Sequence, residues 1–226
     1  MKKAIILFLI SGVLIFSCKT VPQPPPEPEQ TAEQEAEMEA PLSETQKLLV
    51  EEAYRILGME KLFVRGKSFS LDCSGTVMAI YWYAGIDLGR NFSKYTGGGT
   101  ERIYKYLDDE DLLYTTKRPV PGDIIFWDNT YDKNGNGKTD DLLTHMGMVV
   151  TADEKGNIEY IHENYRKGII LAKMNLFKPD QYFEIVSGKK IVLNDPMRMR
   201  GSPESSAGWL SGELYRNFGM GYMLKE

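Results

Sequence analysis

The sequence predicts an α+β domain, with N-terminal helices packed on a central antiparallel sheet, and three observations carry that prediction. Before "PVPG" at 119–122, apolar residues recur at helical spacing; beyond it they fall in short alternating or β-branched runs. The third observation is "DEKGN" at 153–157, a hairpin-type turn between two of those runs. Helices first and an antiparallel sheet afterwards is the α+β pattern.

Taken in order, the chain opens with "MKKAIILFLISGVLIFSC", a basic start and an apolar run too short for a membrane span of roughly 20 residues. It reads as a signal peptide over 1–17. Its end, "LIFSC", resembles a bacterial lipobox, which makes Cys18 the expected lipidation point and places the mature chain outside the cytoplasm, anchored to a membrane. A plain signal peptide and an uncleaved anchor are the alternatives. Residues 18–42 are rich in Pro, Glu and Gln, with too little to bury to offset ordering, so they form an extended tether. The folded domain spans 43–226. Ser43 followed by Gln46 is a capping-box pair opening a helix that carries Leu49, Ala53, Ile56 and Leu57 on one face and stops at Gly58. A second helix is expected from Cys73 to Tyr83 with Gly85 as its stop, and a third from Thr100, after "GGG" at 97–99.

Strands are expected at 123–127, 145–151, 158–164 and 168–175. One more, "YFEIVS" at 182–187, closes the sheet, and the C-terminal tail packs on the surface. The net charge of −5, without clustered Lys and Arg, excludes a nucleic-acid surface. Nothing in the chain calls for a redox or organic cofactor, and a monomer is expected.

With Cys18 lipidated, Cys73 has no partner for an intramolecular disulfide, and a lone thiol in an exported protein is a candidate reactive group. A helix start favours its ionised form; a small buried hydrophobe is the duller reading. The chain has two histidines, His145 and His162, on strands expected to pair through the 153–157 turn. One imidazole to take the thiol proton and another polar group to orient it make a nucleophile, a base and an orienting group, once each.

"DCSG" at 72–75, "PGDIIFW" at 121–127, "THMGMVV" at 144–150 and "IHEN" at 161–164 together resemble the NlpC-type cysteine peptidases of bacterial cell walls, over roughly residues 44–186. The resemblance implies a papain-like fold with Cys73 as nucleophile, His145 as general base and acid, and His162 orienting His145. It also implies that Asp72 and Ser74 hold the free amine of a peptidoglycan stem peptide cut between D-glutamate and a diamino acid. Two features depart from the family. Phe63, in "FVRG", stands where a substrate-contacting tyrosine is usual. An insertion, "YDKNGNGKTDDLLT" at 131–144, places Asp132, Asn134, Asn136, Gly137 and Asp140 at positions 1, 3, 5, 6 and 9 of an EF-hand-type loop. Position 12 is Leu143, so the expectation is either an irregular structural calcium site completed by Asp141 or Asp128, or a plain polar turn. A peptidoglycan-binding lipoprotein that has lost turnover, and an amidase or acyltransferase with the same triad, are the rival readings.

Overall fold

The computed structural model describes residues 41–198 and 208–225. The signal segment 1–17, Cys18 and the tether up to residue 40 lie outside the described residues. The capping box forms: Ser43 Oγ accepts the Gln46 N–H at 3.2 Å and Gln46 Oε1 accepts the Ser43 N–H at 3.0 Å, opening α1 (Glu44–Arg55). Leu49, Ala53 and Ile56 are fully buried, and Gly58 follows with a positive φ of 69°. Gln46 also donates to the Pro121 carbonyl at 2.9 Å, tying the helix start to the turn that enters the sheet.

An unforeseen hairpin follows, β1 (Leu62–Val64) with β2 (Lys67–Phe69). Its turn is Arg65-Gly66, both at positive φ (45° and 81°), the backbone of a tight two-residue connection. α2 (Cys73–Tyr83) keeps the expected boundaries; it is buried on several sides because it packs against α1, β1 and the sheet. α3 (Gly99–Asp109) starts one residue earlier than expected. Gly98 caps it, its N–H donating to Glu101 Oε2 at 2.6 Å, so the glycine run is part of a helix start rather than a free loop.

The central sheet has six antiparallel strands in the order β3 (Leu113–Tyr114), β10 (Tyr215–Gly219), β4 (Ile124–Trp127), β5 (His145–Ala152), β6 (Asn157–Asn164), β7 (Gly168–Asn175). Ile124, Phe126, Met146, Met148, Val150 and Ile161 belong to the core under the helices. Ile125, Trp127, Val149, Tyr160, Ala172 and Met174 form a second core on the other face, with Leu214 and Phe218. Among the described residues the domain is therefore α+β, as the sequence predicts.

Two expectations for the C-terminal part are corrected. "YFEIVS" does not close the sheet: β8 (Phe183–Val186) pairs only with β9 (Lys189–Val192), through a Ser187-Gly188 turn at φ 50° and 75°. The tail is not merely surface-packed either, because its strand β10 enters the sheet between β3 and β4 and buries Phe218 completely. The reason lies in β4. All four of its residues are buried, so its backbone N–H and C=O groups need a strand on both sides, and only β10 supplies the second. Among the described residues, no helix is long and apolar enough to cross a membrane.

Candidate active site

Asp72 is the N-cap of α2, extended at φ −147°, and its Oδ1 accepts the Gly75 N–H at 2.7 Å and the Ser74 hydroxyl at 2.8 Å. A Cβ on Gly75 would fall 2.0 Å from the Ser70 carbonyl oxygen, so only glycine allows the chain to turn this tightly from β2 into the helix. That turn sets Cys73 as the first helical residue, partly exposed and packed at the edge of the helix-side core. Its sulfur lies 3.6 Å from Thr100 Oγ1 at the start of α3, and the main-chain N–H groups of Met146 and Ser74 also reach it.

Burial pushes the Cys73 thiol up, and the neighbouring Asp72 charge adds to that. The Thr100 hydroxyl and the two N–H groups act the other way without overcoming it. Burial and the Asp72 charge thus work against the ionised form that a helix start favours.

The two histidines meet. His145 Nε2 and His162 Nδ1 are 2.9 Å apart, with the rings perpendicular and their centroids 5.1 Å apart. His145 opens β5 opposite Trp127, whose ring is 5.8 Å away, and His162 lies beside Tyr160 at 5.3 Å. Gly147 makes the meeting possible: a Cβ there would stand 2.7 Å from the Ile161 carbonyl oxygen and 3.3 Å from His162 Cβ. The clash it avoids lies across the sheet and leaves no mark in the sequence. Burial lowers the basicity of His145 to about 4. His162 is driven well below the ordinary range, first by burial and then by the charges of His145 and Lys167.

This contact ties the tautomer of one ring to that of the other. When His145 carries a second proton, its Nε2–H must donate, so His162 Nδ1 must be the bare acceptor. In the neutral pair, the arrangement in which His145 Nε2–H donates leaves His145 Nδ1 unprotonated and available as a base, whereas the reverse bond, from His162 Nδ1–H to His145 Nε2, does not. The Met146 N–H that reaches the Cys73 sulfur belongs to the next residue in the chain.

Four flanking residues complete the surroundings. Phe63, on β1, is 66% exposed and brings no hydroxyl. Thr100 was not singled out by sequence, nor was Tyr131, whose hydroxyl is made less acidic by burial and by the charges of Cys73, Asp141 and Glu101. Glu163 is likewise pushed up by burial and then by the Asp72 charge, so two carboxylates face the same region. Thr100 stands in no quoted motif, Tyr131 opens the 131–144 insertion and Glu163 lies within "IHEN", but what brings each toward the site is spatial.

In the insertion, Asp132 Oδ1 accepts the N–H groups of Gly135 and Asn136, and its Oδ2 that of Gly137, at 2.8–3.2 Å. The side-chain amides of Asn134 and Asn136 both reach Asp140, at 3.1–3.2 Å. Asp128 is held elsewhere, by the Leu143 N–H at 2.7 Å and by Arg216 at 2.8 Å, which removes it from the residues that complete this loop. Lys133 pairs with Glu101 of α3 at 3.2 Å. Among the described residues, no group of three or more His, Cys, Asp or Glu side chains is gathered to hold a metal ion.

No family model, curated protein or solved structure matches this chain.

Proposed function

We propose that this chain is a papain-like cysteine peptidase of the NlpC type that hydrolyses peptidoglycan stem peptides between D-glutamate and the diamino acid. It acts as an exported protein anchored through a lipid on Cys18. The observation that carries the reading is the 2.9 Å contact between the chain's only two histidines, with the main chain of Met146, the residue after His145, beside the Cys73 thiol.

Both the thiol and the imidazole rest in their neutral forms, because burial disfavours either charge. The proton therefore moves as attack occurs: Cys73 Sγ bonds to the substrate carbonyl carbon while His145 Nδ1 takes the thiol proton, and His162 Nδ1 accepts the hydrogen bond from His145 Nε2–H. The Cys73 backbone N–H, free at a helix start, faces the developing oxyanion. His145 then delivers its proton to the leaving amine as the C–N bond breaks. Water, deprotonated by His145, hydrolyses the thioester and releases the carboxylate and the thiol. Thr100 positions the sulfur, and Asp72, Ser74 and Glu163 form the acidic and polar end that receives a substrate ammonium group.

Digestion of purified muropeptides tests this. Wild type should release the two fragments, and Cys73→Ala or His145→Ala should release none; wild type giving no more product than Cys73→Ala would refute it. A second reading, a peptidoglycan-binding lipoprotein without turnover, is favoured by the exposed Phe63 in place of a tyrosine and by the raised thiol. It predicts saturable muropeptide binding with no cleavage.

A further inference from the structure

We propose that the loop 132–141 binds one calcium ion through the carboxylates of Asp132, Asp140 and Asp141 and the side-chain amide oxygens of Asn134 and Asn136. The sequence places oxygen-bearing side chains at alternate residues around a glycine turn, which suits a hard cation that takes six to eight oxygens. An independent observation comes from Asp141. Its side chain is only 5% exposed; Oδ1 accepts the Asn134 N–H at 3.2 Å from within the loop, and Oδ2 has no hydrogen-bond partner. A buried carboxylate oxygen left without a donor is costly, and a cation beside it removes that cost.

The other donors lie within the same ten residues; among the described residues their carboxylates are not gathered at one point, and the ion is what would draw them together. The Asn134 and Asn136 amides already meet the Asp140 carboxylate through their nitrogens, while their oxygens accept the Asn136 and Lys138 N–H groups at 2.9 and 2.8 Å and each keep a second lone pair for a cation. Asp132 Oδ1 is filled by two N–H groups, but Oδ2 accepts only one and keeps a lone pair. Three carboxylates thus share ten residues with two lysines, of which Lys133 reaches away to Glu101. Calcium suits this set better than magnesium, which demands near-ideal octahedral geometry, and better than zinc, because the loop has no His or Cys. The base of the loop is already braced: Asn129 N–H donates to the Asp141 carbonyl at 2.8 Å and Thr130 binds Thr144 Oγ1 at 2.9 Å. The ion completes that brace immediately before His145, and its binding does not depend on the peptidase reading.

The test is calorimetric titration of the chelator-treated full chain, in mild detergent, with calcium chloride. One site is expected, with Kd of about 10⁻⁴–10⁻³ M, the weak end of calcium loops, because position 12 lacks its acid. Asp141→Asn should weaken binding by about tenfold or more, and so should Asp140→Asn, a change at an exposed side chain that the fold tolerates. Asp153→Asn, in the β5–β6 turn, should bind as wild type does. Terbium gives a second readout: Tyr131, next to Asp132, should sensitise its emission, and calcium should quench it by displacement. Absence of a saturable calcium heat up to about 10 mM, or wild-type affinity in both Asp140→Asn and Asp141→Asn, overturns the proposal.

Discussion

Replacing His145 by glutamine should change how stability depends on pH, by an amount that the burial of the ring sets. In the folded chain the imidazole basicity falls from the ordinary 6.5 to about 4. Below about pH 6.5 the unfolded chain therefore binds a proton that the folded chain refuses, and stability is lost as pH falls toward 4. The gap corresponds to about 2–3 kcal/mol at pH 4, allowing for the exposed edge of the ring. Wild type alone would not reveal it. Burial also pushes Asp123 up to about 6, so the folded chain there binds more protons than the unfolded one, and stability is gained over nearly the same range. The two effects are of similar size and opposite sign, and only a difference between variants separates them. Urea unfolding of wild type and His145→Gln, followed by tryptophan fluorescence at about pH 7 and about pH 4, isolates the histidine because Asp123 is common to both. The variant should be about 1 kcal/mol less stable at pH 7, where it loses the bond to His162. At pH 4 the difference should shift in its favour by about 2–3 kcal/mol. His162 moves in the same direction, since it loses the repulsion of a charged neighbour. A difference that is the same at both pH values, within about 0.5 kcal/mol, would refute the claim that His145 is held neutral by burial.

Gly147→Ala should destabilise by about 1–3 kcal/mol, because its Cβ meets the Ile161 carbonyl oxygen at 2.7 Å; a thermal melt should fall by roughly 2–4 °C per kcal/mol, and an unchanged melt would mean that β6 yields without cost. Tyr114→Phe removes the hydroxyl that donates to Asp123 and should cost about 1–3 kcal/mol at pH 7, shrinking as Asp123 protonates below about pH 6. Denaturation at the two pH values checks it, and a loss that persists at low pH would contradict it. Phe63→Tyr should leave stability within about 0.5 kcal/mol, since the ring is 66% exposed, and on the peptidase reading should raise muropeptide turnover by about tenfold or more. Equal turnover would remove that hydroxyl from the reaction.

Much of the local architecture was legible. Ser43 and Gln46 announce α1, Gly85 marks the end of α2, and the alternation around 153–157 locates β5 and β6, because caps and tight turns are satisfied by groups a few residues apart. The β1–β2 hairpin was missed because its turn is Arg65-Gly66 and its strands are three residues each, too short for periodicity to register. The candidate site was legible as a list of residue types, but Thr100, Tyr131 and Glu163 were given no role by the motifs and meet the others only in space.

From sequence alone came the class of fold, the order of most elements, and the pairing of the two strands that carry the histidines. Those follow from side-chain spacing and hydrogen bonds within a few residues, which do not depend on what lies across the molecule. Tertiary structure alone decided that β10 rather than β8 completes the sheet, since β4 is buried on both faces and must have its backbone paired on both sides. It also decided that Gly147 lets His145 and His162 touch, and that Cys73 and His145 rest neutral. Strand choice and basicity both turn on which groups lose their water, and that is fixed only when segments distant in the chain come together.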